Sequence, residues 1–419
     1  MYGESPAIMT GLAQVTRVIV DALIQEGHEV ELIAVNHFLD DYDHDRYPFL
    51  IHPCPPDDCR NLEIAKSRIL EADYDIFFFG CDLGGSDLVM SYRREARQAR
   101  EFVSIAYCPV DCDQVPADIF LYFDEVEFSI TYTEHGKRTI NRYRPELPIS
   151  VIPLACHPDK FYPLSKDEKR EARKKLFNIE DDSKFIVTNI NRNQGRKDLG
   201  RTLMIFHEFH QKYPNSILYM HCQQQDQGGN LPTMARSIGM ALSGANTEVI
   251  FAPESYQAIW GFSDQSMNMI YNASDCLIST STGEGWGLST TDAMCAGCPV
   301  VVPRNTANLD LIGENEERGY LAKAGGDIDH QIFLYGMTCN PRDIVHSDSM
   351  IEKMSCVYFN KKIADYRNNA WKLVAHDANT KKTNKVREWC LERTPEKIGE
   401  QWKGLFRFIE TTIKKDVKV

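Results

Sequence analysis

Apolar positions along the chain follow two rhythms, one recurring with the helical period and one of short runs that are apolar throughout. Val15, Val18, Ile19, Ala22 and Leu23 fall at helical spacing, Gly27 stops that helix, and residues 30–35 run on as a strand. Residues 75–79 then predict a buried strand, 87–102 a helix, and 103–107 and 128–132 two further strands. Strands apolar on both faces and separated by helices belong to parallel sheets covered on both sides. A domain of this kind normally begins with a buried strand. Residues 1–10 are too short and polar to predict one, so the pattern predicts a first strand that is missing or shortened, or a natural start upstream of Met1.

A proline-punctuated stretch, residues 151–153 with His157-Pro-Asp and Phe161-Tyr-Pro, marks a boundary. Beyond it the alternation resumes. Helices are predicted at 166–177 and 199–212, through 267–272, and at 290–296, with strands at 185–189, 217–222, 248–251, 276–279 and 300–302. From about residue 345 the pattern is helical. It ends in a helix over 395–414 with Trp402, Leu405, Phe406 and Ile409 on one face. A chain of 419 residues exceeds one ordinary core. The expected division is a first domain over 1–153, a second over 154–394, and a terminal segment, 395–419, crossing back to the first.

Composition adds limits. Hydrophobic residues make up 43% and charged residues 26%, as in soluble globular proteins. No apolar run approaches the roughly 18 residues that span a membrane, and the N-terminus lacks a signal-peptide layout. The expected location is the cytoplasm. Thirteen cysteines are then expected to be reduced. Cys295-Ala-Gly-Cys298 has metal-ligand spacing, but no second pair follows, so these two are expected as small buried residues in a helix-to-strand turn. A formal net charge of −13 disfavours a general nucleic-acid binder without excluding a local basic groove.

The sharpest segment is Ser281-Thr-Gly-Glu-Gly-Trp-Gly-Leu-Ser-Thr-Thr-Asp. Gly283, Gly285 and Gly287 permit a tight turn between a strand and a helix, whose N-terminus offers unpaired N–H groups and a positive dipole end to a diphosphate. Glu284 in the loop and Asp292 in the helix are acceptors for sugar and ribose hydroxyls. The alternative is that they only cap the helix and complement its dipole. A second motif, Arg192-Asn-Gln-Gly-Arg196-Lys197, also lies between a strand and a helix. It offers cations where charge grows on a departing phosphate. Arg196 reads there as a solvated neighbour or a third cation.

The run EGWGLSTTDAMCAGCPVV resembles the Glu-x7-Glu signature of family 4 retaining glycosyltransferases, with Asp292 in place of the second Glu. The resemblance implies an α/β chain of the GT-B fold: two Rossmann-like domains with a cleft between them, the first for the acceptor and the second for a nucleotide sugar. It implies that Glu284 holds the donor sugar, that Arg192 and Lys197 grip the diphosphate, and that Gly285, Trp286, Gly287, Leu288 and Asp292 complete the donor site. Gly11, in Thr10-Gly11-Leu-Ala-Gln-Val-Thr-Arg17, is similar to the family's N-terminal glycine loop. Asp111 and His135 stand in loops that resemble acceptor- or sugar-contacting turns, and an Asx turn or a core role explains them as well. The implied substrate is a UDP- or GDP-linked sugar, with no cofactor and no metal. The acceptor is a hydroxyl on a glycan, lipid, small molecule, protein or modified nucleic-acid base. Arg93, Arg97 and Arg100, placed on one face of the 87–102 helix, offer a peripheral membrane contact or a solvated charged face. A sugar-nucleotide epimerase of the same fold and a non-catalytic sugar-nucleotide-binding subunit are the alternatives.

Overall fold

The computed structural model describes residues 1–8, 10–38, 42–82, 86–115, 123, 126–180, 184–244, 246–253, 255–256, 261–334, 340–370 and 378–416. The chain divides into two compact units. Unit 1 holds Met1–Ala155, Asn340 and Arg393 onward; unit 2 holds Cys156–Leu334 and Pro341–Glu392.

Unit 1 is built on seven parallel strands: β1 (Tyr2–Glu4), β2 (Glu31–Val35), β3 (Leu50–His52), β4 (Ile76–Gly80), β5 (Val103–Cys108), β6 (Phe128–Thr131) and β7 (Ile149–Val151). Their order, β3-β2-β1-β4-β5-β6-β7, reverses between β1 and β4, as in a Rossmann sheet. The segment too short and polar to predict a strand therefore does supply one, at the centre of the sheet. Burial overrides its weak pattern. The Tyr2 ring stacks on Phe79 at 5.7 Å, and the buried Glu4 takes hydrogen bonds from Thr10 and Asn36. Helices α1 (Gly11–Gln25), α2 (Leu62–Glu71), α3 (Ser86–Arg97) and α4 (Glu134–Tyr143) connect the strands.

The basic helix face expected at Arg93, Arg97 and Arg100 is not formed. Helix α3 ends at Arg97. Arg93 lies one turn beyond Val89 and Met90 on the inward side, fully buried and facing the Ser104 hydroxyl. Arg97 is paired with Glu127, and Arg100, outside the helix, covers the Tyr74 ring at 4.4 Å. These three residues do not offer a membrane surface.

Unit 2 contains α5 (Lys166–Phe177), β8 (Phe185–Ile190), α6 (Leu199–Lys212), β9 (Ser216–His221), the short hairpin β10 (Gln225–Asp226) and β11 (Gly229–Asn230), and α7 (Leu231–Ser237). There follow β12 (Val249–Phe251), α8 (Asp264–Ala273), β13 (Cys276–Ile278), α9 (Leu288–Cys295), β14 (Val300–Pro303), α10 (Thr306–Ile312) and β15 (Tyr320–Ala322). The hairpin β16 (Gln331–Phe333) and β17 (Pro341–Asp343) then leads to α11 (Ser347–Ala370) and α12 (Ala378–Leu391). Its six-stranded parallel sheet runs β12-β9-β8-β13-β14-β15. The order reverses between β8 and β13, so the loops leaving these two neighbours lie side by side at their carboxyl ends, the place where open α/β sheets bind ligands.

The last helix, α13 (Pro395–Asp416), belongs to unit 1 and packs on α1. Its apolar face drives Trp402 against Phe78, Tyr107 and Phe406 at 5.7, 4.8 and 5.8 Å between ring centres. Arg407 holds Glu26 at the end of α1 through two bonds of 2.6 and 2.7 Å. Among the described residues no helix is long and apolar enough to cross a membrane.

Candidate donor site

The loops after β8 and β13 meet at the reversal point of unit 2. The first makes a single 3₁₀ turn, Gly195–Lys197, before α6. The second carries Ser279 to Gly287 and opens α9. Of its three glycines, Gly287 alone adopts the left-handed region, φ +108°, where it turns the chain into the helix. Among the described residues no side chain caps the N-terminus of α9.

Glu284 is buried at the bottom of this loop, with its backbone N–H donated to the Thr306 hydroxyl at 2.9 Å. Thr306 has a φ of +43°, strained for a β-branched residue, and such strain costs about 1–3 kcal/mol. The Glu284 carboxylate is gripped from both sides. Lys197 Nζ donates to Oε1 at 2.5 Å and Arg196 Nη1 to Oε2 at 3.1 Å, while the same Arg196 nitrogen reaches the Gly283 carbonyl at 2.6 Å. Burial pushes the Glu284 carboxyl up, but the charges of Lys197 and Arg196 outweigh it and hold it down at about 2. The loops are further stitched by the Thr280 hydroxyl, which bonds the Lys197 and Asp198 carbonyls at 3.1 and 2.9 Å.

Arg192 is placed differently. Its half-exposed side chain pairs with Asp226 of the β10–β11 hairpin at 3.0 Å rather than with Glu284. The cation that joins Lys197 on the acid is Arg196, which the sequence left between a solvated neighbour and a third cation. The only signal available was its adjacency to Lys197.

Asp292 lies in the second turn of α9, 7% exposed, and among the described residues its Oδ1 has no hydrogen-bond partner. Burial pushes its carboxyl well above the usual carboxylate range, and nearby Cys295 and Asp264 add to that; Lys160 and a Tyr271 hydrogen bond oppose it. The folded state therefore keeps a proton that the unfolded chain releases, and stability falls as pH rises above the ordinary carboxylate value. Asp292→Asn is expected to melt higher than the parent at pH 7–8, with the difference vanishing near pH 4. Melting curves across that range check this; a variant less stable at pH 8 would refute it.

Trp286, 5% exposed, stacks on Trp389 at 6.3 Å, and Arg318 lies over Trp389 at 5.1 Å. Its indole Nε1, like Asp292 Oδ1, is buried without a partner among the described residues. An unused donor and an unused acceptor thus flank the start of α9. Gly285 and Leu288 lie in the same loop and first turn.

The other candidates belong to unit 1. Gly11 opens α1 beside its capping residue Thr10, whose hydroxyl accepts from Ala13 N. His135 is buried in the first turn of α4, with Nε2 3.3 Å from the Cys112 carbonyl and Nδ1 3.8 Å from Asp113. It thus packs against the segment that follows Asp111, a half-buried residue in the loop after β5.

Residues 253–332, which include β13, the Glu284 loop and α9, match the family model of glycosyl transferases group 1. No curated protein matches the chain in sequence. Among solved structures it is similar to sucrose-phosphate synthase from Thermosynechococcus elongatus, with a TM-score of 0.68 and 15% identity over 96% of this chain and 94% of that one. It is also similar to a glycosyltransferase from Rickettsia africae, with a TM-score of 0.67 and 13% identity over 97% of each chain. A third is the Anabaena HepE protein, solved in complex with UDP, with a TM-score of 0.63 and 14% identity over 97% of this chain and 98% of that one. At such identities the likeness is one of fold, and the fold is GT-B, with two Rossmann-like domains. A group 1 glycosyl transferase segment on that fold marks the chain as a glycosyltransferase enzyme.

Proposed function

We propose that this chain is a retaining glycosyltransferase of the family 4 kind, which moves a sugar from a UDP- or GDP-linked donor to a hydroxyl acceptor. The observation that carries the proposal is a buried carboxylate, Glu284, held by Arg196 and Lys197 beside the uncapped N-terminus of α9. Those two cations and the helix end favour an anion, and the diphosphate of the donor is one. Glu284 accepts hydroxyls of the donor sugar. Asp292 Oδ1, an acceptor lacking a donor, takes a ribose hydroxyl. Arg192, half-exposed and paired with Asp226, is proposed to exchange that carboxylate for a phosphate oxygen when the donor binds.

In the reaction the bond between the anomeric carbon and the phosphate oxygen breaks while a bond to the acceptor oxygen forms on the same face. The acceptor proton passes to the departing phosphate. Negative charge grows on that phosphate, and fixed cations stabilise it more in the transition state than before it. Side-chain cations supply the counter-charge, so the proposal requires no divalent ion. Gly11, Asp111 and His135 are assigned to the donor-phosphate and acceptor contacts of unit 1. The cytoplasm is the compartment where such donors and reduced cysteines coexist.

The test is a titration of nucleotide sugars read as thermal stabilisation. A ligand present at a hundred times its Kd adds about 2.7 kcal/mol. One donor is expected to stabilise the native chain and to lose most of that effect in Lys197→Ala. Nucleoside diphosphate is then expected to appear only when a hydroxyl acceptor is supplied. Interconversion of the sugar without nucleotide release would instead reveal an epimerase, and no stabilisation by any donor would remove the proposal.

A further inference from the structure

Three cysteines far apart in the sequence meet in the interior of unit 2. Cys156 follows the proline-rich boundary, Cys295 ends α9, and Cys390 lies in the last turn of α12. All three are free thiols with no exposed surface, and their Sγ atoms lie within 4.8 Å of one another. Cys295 and Cys298 are the small buried residues of a helix-to-strand turn that their sequence context leads one to expect, and they do not pair with each other. Gly297 turns the chain between them, and Cys298 faces the Ser274 carbonyl instead.

We propose that Cys156, Cys295 and Cys390 form a binding site for a thiophilic d¹⁰ cation, Zn²⁺ in the first instance, held by three thiolates. The number of sulfurs favours a cation over a cross-link. A disulfide joins two and leaves the third stranded, whereas three sulfurs converging on one point supply three of the four ligands that a structural zinc takes. Thiolates bound to one zinc at about 2.3 Å sit about 3.8 Å apart, so a small inward shift of this trio completes the contact. Two donors face the trio, and the Asp292 carboxyl lies near it as well. Cys295 Sγ accepts the backbone N–H of His157. Arg387, whose Nη1 donates to the Cys295 carbonyl at 3.1 Å, also acts electrostatically on Cys390. Outer partners of this kind orient ligands and tune a site.

Binding replaces three S–H bonds with three S–Zn bonds and releases three protons to solvent. A dication with three thiolates carries one net negative charge, which the Arg387 guanidinium offsets. The bound cation fastens α12 to α9 and to the segment at Cys156. It thereby fixes Trp389 against Trp286 in the loop of the candidate donor site.

The full-length chain, reduced with a phosphine that does not compete for metal, is equilibrated with Zn²⁺ and passed through gel filtration. About one zinc per chain is expected to remain bound. Cd²⁺ in its place is expected to give the ultraviolet charge-transfer band of a cadmium–thiolate, at an intensity for about three sulfurs. Cys390→Ser and Cys295→Ser are each expected to lose metal affinity at least about 10-fold. Cys59→Ser and Cys356→Ser, both at exposed positions, keep the band. The Cd²⁺ band is read on the unsubstituted protein, so a variant that fails to fold does not decide the outcome. Absence of both zinc and band in the folded native chain would overturn the proposal. So would a band that persists in Cys390→Ser, or a disulfide between two of the three as the form isolated without reductant. None of these readouts depends on transferase activity.

Discussion

Glu284→Ala is expected to lower sugar transfer by at least about 10²-fold while leaving affinity for the free nucleoside diphosphate intact or tighter. The split follows from the two sides of the carboxylate. Toward the donor it is an acceptor for sugar hydroxyls, and that contact disappears. Toward the protein it neutralises Lys197 and Arg196, at 2.5 and 3.1 Å. Once it is removed, both cations await an anion, which a diphosphate provides. Calorimetric titration with UDP and GDP beside a transfer assay separates the two effects. Equal loss of diphosphate binding and of transfer would mean that Glu284 only props up the loop.

The unliganded variant is expected to be less stable, since removing one member of a buried pair leaves charge uncompensated, at a cost of about 3–5 kcal/mol. The pH dependence has a definite sign. The folded carboxyl stays ionised down to about 2, against 4.5 in the unfolded chain. The pair therefore contributes fully above pH 4.5, and its contribution is lost as pH falls through 2. That shift is worth about 3 kcal/mol as an order of magnitude. Melting of the parent and Glu284→Gln is expected to converge on acidification.

Trp402→Ala is expected to destabilise unit 1 by about 3–5 kcal/mol. The side chain is among the largest that are fully buried, and three aromatic rings of unit 1 close around it. The rest of α13 is tied down by Ile398, Phe406 and Ile409, by Phe408 against Phe128, and by the pair of Arg407 with Glu26. Denaturant unfolding checks the magnitude, and limited proteolysis near Lys403 and Arg407 reports whether α13 detaches. A loss below about 1 kcal/mol would show that the helix is not held by this residue.

What the sequence disclosed was local. A glycine loop between an apolar strand and a helix is legible because its parts are adjacent, so the segment around Glu284 stood out. The alternation of strands and helices likewise marked two parallel sheets. Three-residue strands such as β1, β3, β7 and β15 carry too few positions to show a period, and their burial comes from neighbours supplied elsewhere. Which arginine reaches Glu284 depends on a 3₁₀ turn of three residues, Gly195–Lys197. No spacing rule distinguishes Arg192 from Arg196 there. Arg93 is a different case. Val89 and Met90 place it on the inward side at helical spacing, so its burial is legible, but the sequence pattern carries the helix past its true end at Arg97. The cysteine trio was beyond reach, because its members belong to three separate stretches of chain.

Unit 1 is discontinuous, and that imposes an order on its synthesis. Its sheet is complete once β7 has emerged, yet the cavity for Trp402 stays unfilled until all of unit 2 has been translated. At about 5–20 residues per second, tens of seconds of elongation separate those two moments. During that interval Phe78 and Tyr107 have no α13 to cover them, and a nascent chain stalled within unit 2 presents that open apolar surface to chaperones.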